Sequence, residues 1–271
     1  MLRDITLGQY YQTDSVIHRL DPRVKLSGTI LFILSLFFFK NYIGYLVAAA
    51  FLALVIKLSH VPFKFMIKGM KAIVFLLAIT VCFNLFLTPG ETLVALGKLT
   101  ITKEGLSAAI TMAVRLSMLI IGSSIMTLTT TPNHLTDGME KGLRPLKKLH
   151  VPVHEIAMMM SIALRFIPIL MEETDKIMKA QMARGADFES GSLIRRAKAM
   201  VPLLVPLFIS AFRRANDLAM AMEARCYRGG EGRTKMKPLV YGKRDHLAYL
   251  SLLVYMIVSI CLGRLSVPGI F

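Results

Sequence analysis

Long apolar runs separated by short charged segments dominate the chain. Residues 24–56 are almost continuously apolar, with an interior break at Lys40-Asn41. A single straight helix of that length would measure about 50 Å, whereas the hydrocarbon core of a bilayer is about 30 Å thick. The pattern therefore predicts two membrane spans joined by a tight turn.

Three further apolar runs predict three more spans, over residues 72–87, 106–128 and 247–262. The first of these ends at Thr88-Pro89-Gly90, a sequence typical of a turn. The second contains Arg115, and an unpaired guanidinium inside a bilayer costs at least a few kcal/mol. We expect Arg115 to pair within the helix bundle or to extend to the headgroups, and a functional role is the alternative.

The segment between the fourth and fifth spans keeps the helical period but becomes highly charged. It predicts a short amphipathic helix over residues 133–148 and two long helices over residues 153–184 and 193–225. Each long helix would measure about 45–50 Å. Their apolar cores are short or interrupted and both contain prolines, so we interpret them as buried or interfacial helices and not as spans.

These elements predict an all-α membrane protein. It has about five transmembrane helices and a further domain of one short and two long helices, whose cytoplasmic side follows from the charge distribution. The predicted boundaries are 1–129 for spans one to four, 130–244 for the helices of this domain and 245–271 for the last span.

The charge distribution predicts the orientation. The net charge is +16, from 33 Lys and Arg against 17 Asp and Glu, in a chain that is 55% hydrophobic. Residues 1–25 and 57–71 hold four Lys or Arg each and residues 130–246 hold twenty, so 28 of the 33 lie on one predicted side. Basic loops stay in the cytoplasm, which places the N-terminus and the insertion inside and the C-terminus outside. The membrane explains the charge, and we expect no nucleic-acid partner.

Lys64, Lys68 and Lys71 share one helical face in the loop between the second and third spans. Their spacing predicts a helix that lies on the anionic surface of the bilayer. The alternative is that these lysines only set the topology.

Several enzyme classes lack their sequence patterns. The chain has no G-x-x-x-x-G-K-[ST] loop for nucleotide phosphates and no G-x-S-x-G nucleophile motif. His154-Glu155 begins like a zinc-protease helix, but the second histidine is missing. We therefore expect a non-catalytic chain without cofactor or metal.

Each long helix ends in Ala-Arg followed by a small residue, as Ala183-Arg184-Gly185 and Ala224-Arg225-Cys226. A terminal arginine is favoured by the helix dipole, by about 0.3–1 kcal/mol, and that alone would account for either one. The repetition favours a further hypothesis, in which two forked donors insert into acidic grooves on two similar partner subunits.

The segment from His18 to Leu26, HRLDPRVKL, precedes the first span. Together with the order of the elements and the two Ala-Arg motifs, it resembles the transmembrane (T) components of energy-coupling factor transporters, which include the cobalt and biotin permease subunits CbiQ and BioN. The resemblance covers nearly the whole chain. The signature residues are Leu20, Asp21, Pro22, Arg23 and Lys25.

The resemblance implies a coupling subunit of an importer in a prokaryotic plasma membrane. Its implied partners are two ATP-binding-cassette ATPases, into which Arg184 and Arg225 would dock, and a substrate-binding membrane S component for a vitamin or transition metal. Cys226 departs from the family, where a second glycine stands at this position. Nine of the 18 methionines lie in residues 156–225, where they would either adapt to partner subunits or fill a helical core.

Two other functions compete. A membrane enzyme acting on an anionic lipid or isoprenoid phosphate would need acidic metal-binding clusters, and the sequence contains none of the D-D-x-x-D kind. Glu172, Glu173 and Asp175 are interpreted instead as a solvated helix face. A self-contained transporter or channel would need polar or broken segments at membrane depth, and the first three spans offer little of that.

Overall fold

The computed structural model describes residues 10–39, 41–96, 99–188, 192–230, 236 and 238–264. They form two compact units. The membrane unit comprises Gly8–Gly142 and Leu239–Phe271, and the insertion unit comprises Leu143–Pro238. The elements are α1 (Pro22–Phe38), α2 (Tyr42–Ser59), α3 (Phe63–Leu87), β1 (Thr92–Leu96), β2 (Leu99–Thr102), α4 (Lys103–Thr129), α5 (Pro132–Gly142), a 3-10 helix (Arg144–Leu149), α6 (Val153–Ala183), α7 (Leu193–Ala224) and α8 (Lys243–Arg264).

Four described helices are long and apolar enough to cross a membrane, which confirms an all-α membrane protein. Three of them, α2, α4 and α8, coincide with predicted spans. The other two predicted spans are shorter: α1 has 17 residues, and the apolar part of α3 is Ile73–Leu87. The fourth is α6, whose most apolar window has a mean hydropathy of 1.6. Composition therefore does not separate this long helix from a span.

Two predicted helices have other bounds in the structure. The helix predicted at Lys64 is the first part of α3 and continues into the following span without a break, and its location on the bilayer surface stays a prediction. The helix predicted over residues 133–148 ends at Gly142, and a 3-10 helix begins at Arg144. α5 packs against α1, and the contact is close because a Cβ on Gly138 would lie 2.9 Å from the Pro22 Cβ.

An antiparallel hairpin between α3 and α4 was not predicted. Strand β1 pairs with β2, with Leu96 opposite Leu99. Residues 97 and 98 lie outside the described residues. The hairpin sequence alternates β-branched and aliphatic residues, a weak strand signal beside the stronger apolar runs.

The core of the membrane unit joins α1, α2, α4 and α8. The Phe51 ring stacks on Tyr255 with 4.4 Å between centroids, and the buried Ser35 hydroxyl hydrogen-bonds the Tyr255 hydroxyl at 2.7 Å. Arg115 donates to the Tyr45 hydroxyl from Nε at 2.8 Å and from a terminal nitrogen at 2.6 Å. The prediction that Arg115 pairs within the bundle is confirmed.

Candidate functional site

The end of α6 is a Schellman motif. The Gly185 N–H donates to the Met182 carbonyl at 2.9 Å and the Ala186 N–H donates to the Gln181 carbonyl at 3.0 Å. Gly185 has φ +87°, a left-handed conformation that glycine adopts without steric cost. Arg184 is therefore the last residue before a sharp reversal of the chain.

The end of α7 repeats this geometry bond for bond. The Cys226 N–H donates to the Glu223 carbonyl at 2.8 Å, and the Tyr227 N–H donates to the Met222 carbonyl at 3.0 Å. Cys226 has φ +54°, so it occupies the position of Gly185 despite its side chain. The two Ala-Arg motifs are thus structurally equivalent, and the substitution at the second one does not change the backbone.

Both arginines project from these ends. Arg184 and Arg225 are exposed. Neither guanidinium has a hydrogen-bond or ion-pair partner among the residues that the structure describes. Forked guanidinium donors at matching chain reversals have the geometry that favours bidentate hydrogen bonds to carboxylate groups.

An ion pair joins the two long helices midway between their arginine ends. The Arg214 guanidinium lies 3.3 Å from the Glu173 carboxylate, and α6 packs against α7. Glu173 precedes Arg184 by eleven residues, and Arg214 precedes Arg225 by the same number. Earlier residues of α6 meet later residues of α7, so the arginine ends point away from each other. At 1.5 Å per residue they lie up to about 33 Å apart.

A groove between α6 and α7 adds charge near the second arginine. Its volume is about 580 Å³, and its apolar floor includes Phe166 and Leu218. Arg165, Arg214 and Arg225 line it together with Asp217. The Arg225 end of the pair therefore presents a basic, partly apolar surface.

The signature residues form a second cluster, in the membrane unit. Asp21 caps α1 by accepting the Arg23 N–H at 2.9 Å, with Pro22 at the first helical position. The Arg23 guanidinium donates to both Asp21 carboxylate oxygens, at 3.0 and 2.8 Å. Burial by itself raises the pKa of the Asp21 carboxyl, but the hydrogen bonds from Arg23 outweigh it and hold the pKa below its usual value.

Lys25 ties the chain before α1 to the end of α4. Its ammonium donates to the His18 carbonyl at 3.2 Å and to the Thr129 carbonyl at 2.8 Å. The His18 ring lies between the Ser15 hydroxyl and the Tyr11 carbonyl, at 2.7 and 3.0 Å. Burial lowers the pKa of His18, which favours the neutral ring with Nε2–H donating to Tyr11.

Sequence reasoning named Asp21, Pro22, Arg23 and Lys25, and the structure brings them together. Leu20, named with them, lines a small apolar cavity beside Val24. Five partners of this cluster were missed, because each lies more than a hundred residues from the signature. They are Thr129, Lys141, Leu239, Tyr241 and Asp245. Only Asp245 had a local sequence signal, because an acidic residue is favoured in the first turn of a helix such as α8.

The positive φ at Gly185 gives a test of the helix end. Gly185→Val should disrupt the Schellman bonds, since a β-branched residue is strained at φ +87° by about 1–2 kcal/mol. No atom lies within 4 Å of the position that its Cβ would take, so the effect would come from the backbone. Hydrogen exchange at the Gly185 and Ala186 amides should accelerate. Cys226→Gly is the matched control, and unchanged protection in Gly185→Val would contradict the assignment.

Known proteins match this chain over the regions that contain the arginine helix ends and the signature residues. The sequence matches the family CbiQ, described as "Cobalt transport protein", over residues 13–236. The "Energy-coupling factor transporter transmembrane protein EcfT" of Clostridium kluyveri is 55% identical over 262 residues, covering 96% of this chain and 97% of that protein. A protein of the same name from Thermosediminibacter oceani is 54% identical over 250 residues, covering 92% and 94%. That from Bacillus subtilis is 49% identical over 255 residues, covering 94% and 96%.

Proposed function

Because the chain belongs to the family of transmembrane components of energy-coupling factor transporters, a family of multi-pass membrane proteins, we propose that it is the coupling subunit of such an importer. It transmits the motion of two ATP-binding-cassette ATPases to a substrate-binding membrane subunit. The cargo is a vitamin or a transition-metal ion. ATP hydrolysis takes place in the partner subunits, and this chain is not catalytic.

The observation that carries this proposal is the pair of matched arginine ends. Two exposed guanidinium groups at identical chain reversals suit two copies of one kind of acidic groove. A single docking site would require only one such arginine end. Two similar ATPases supply one groove for each arginine.

The packing of α6 on α7 supports a mechanism of force transmission through the two long helices. When the ATPases close around ATP, they draw the Arg184 and Arg225 ends together. The Glu173–Arg214 pair lies at equal sequence distance from both ends, so it is suited to act as the point about which the two helices change their angle. The change in angle then reaches the substrate-binding subunit.

Exposed methionines supply a surface for that second partner. Met159, Met182, Met200 and Met220 are 49–60% exposed on α6 and α7. Methionine is unbranched and polarisable, so a surface rich in it can repack around different partners. The positive-inside distribution supports a cytoplasmic location for this surface, the N-terminus and both arginine ends, and an outer location for the C-terminus.

Affinity purification from native membranes in mild detergent tests the proposal. The tagged chain should recover two nucleotide-binding subunits and one further integral membrane protein, and the reconstituted complex should take up substrate only with ATP. Purification of the chain without any nucleotide-binding subunit would contradict the proposal. The identity of the second membrane protein would name the cargo class.

A further inference from the structure

The geometry points to Arg23 as a positioning residue that holds together the two places where the insertion leaves and rejoins the membrane unit. The inference rests on the proposed function, because it concerns how force enters the spans. The chain leaves this unit after Gly142 and returns at Leu239. We call residues 239–242 the return segment.

One carbonyl oxygen connects both places. The Leu239 carbonyl accepts the Lys141 ammonium at 2.9 Å and the Arg23 guanidinium at 3.3 Å. Lys141 lies in the last turn of α5, one residue before the chain leaves the unit, and Arg23 lies in the first turn of α1. The departure point, the return point and the start of the first helix thus share one acceptor.

Further contacts extend this hold along the return segment. The Arg23 guanidinium stacks on the Tyr241 ring, 3.8 Å from its centroid. The Asp245 carboxylate accepts the Gly242 N–H with one oxygen and the Asp21 N–H with the other, both at 2.8 Å. The Asp21–Arg23 pair therefore binds residues 239–245 through the backbone, an aromatic face and a carboxylate.

The return segment has no helix or strand of its own. A segment without regular hydrogen bonds opens locally at low free-energy cost unless side chains hold it. Motion of the long helices would then be absorbed in residues 239–242 and would not reach α8. Held by Arg23 and Lys141, the segment passes that motion to the spans.

Arg23→Gln in the complete complex, reconstituted in liposomes, tests this role. The amount of substrate imported per ATP hydrolysed should fall by about tenfold, as expected for a lost charge-assisted hydrogen bond at a transmitting contact. Lys141→Gln should change the ratio in the same direction, and Arg23→Lys should restore part of it. The matched control is Arg19→Gln, which removes an exposed ion pair with Asp14 in the same segment.

An unchanged ratio in Arg23→Gln and Lys141→Gln would overturn the inference. A loss of uptake that is fully explained by a lower yield of assembled complex would also overturn it, because that result would give Arg23 a merely structural role. If the wild-type chain recovers no ATPase, the proposed function fails, and a measurement on the chain alone then decides the inference.

That measurement is a spin-label distance in detergent. The exposed thiols Cys82, Cys226 and Cys261 are first replaced by serine, and labels are placed at His134→Cys on α5 and Val240→Cys on the return segment. The parent should give one narrow distance distribution. Arg23→Gln should broaden it and Arg19→Gln should not. Equal widths in the parent and in Arg23→Gln would overturn the inference.

Discussion

Reversing both helix-end charges, by Arg184→Glu with Arg225→Glu, is expected to abolish copurification of the two ATPase subunits while membrane insertion stays intact. Truncating one member of a buried interfacial charge pair costs about 2–5 kcal/mol, and a reversed charge adds repulsion. The two ends lie up to about 33 Å apart along the helices, so the losses should add. Each single reversal should weaken the complex, and the double reversal should dissociate it.

A double variant with the same change in net charge provides the control. Arg144→Glu with Arg213→Glu reverses two exposed arginines of the insertion unit away from the helix ends. It should retain both ATPases in a pull-down and in native mass spectrometry. Retention of both ATPases by the helix-end variant would contradict the docking role, whereas loss in both doubles would assign the effect to bulk charge.

The helix ends show what a repeated motif can and cannot predict. The recurrence of Ala-Arg plus a small residue marked both ends, because each precedes loop-forming residues. The left-handed backbone at Cys226 could not be predicted, since a non-glycine residue adopts it only where the surrounding hydrogen bonds require it. Glu173, interpreted as part of a solvated face, pairs instead with Arg214 of α7, and its partner is set by helix packing.

The helices of the membrane unit were predictable where apolar runs are long and bounded by turn residues, as at α2, α4 and α8. The hairpin before α4 was missed because its nine residues lie between two much stronger helical signals. α5 was predicted as one element with the 3-10 helix that follows. A single sequence does not show that Gly138 fits against Pro22, so the grouping of α5 with α1 comes only from packing.

The signature cluster shows the limit most clearly. Asp21-Pro22 predicts a helix start from local chemistry, and α1 begins there. Its contacts with Lys141, Leu239 and Asp245 span more than a hundred residues and depend on the helices being packed. The family resemblance identifies the signature residues, but only the structure shows which contacts they make.

Asp21→Ala is expected to destabilise the membrane unit by about 3 kcal/mol, a value at the lower end for a broken buried ion pair. The Asp21 side chain is 3% exposed, so its removal leaves a mostly buried guanidinium without its carboxylate. Arg23 keeps 15% of its side chain exposed, and this residual hydration limits the loss. The cap of α1 is lost as well.

The sign of the pH dependence follows from the same pair. Arg23 holds the pKa of Asp21 below its ordinary value of 3.8, so the pair stabilises the fold fully above that pH. The contribution disappears as the pH falls through the lowered pKa, because the unfolded chain then binds the proton more readily. The stability difference between wild type and Asp21→Ala should therefore shrink below about pH 4.

Thermal and denaturant unfolding in detergent measure this difference, and two variants separate its causes. Asp21→Asn keeps a capping side chain but loses the charge, so its stability should lie between those of wild type and Asp21→Ala. Asp14→Ala removes the exposed carboxylate that pairs with Arg19 and should leave the unfolding midpoint nearly unchanged. Equal unfolding midpoints for Asp21→Ala and Asp14→Ala would contradict this prediction. They would mean that water hydrates the Arg23 guanidinium once its carboxylate partner is removed. The cluster would then lack the rigidity that force transmission through the return segment requires.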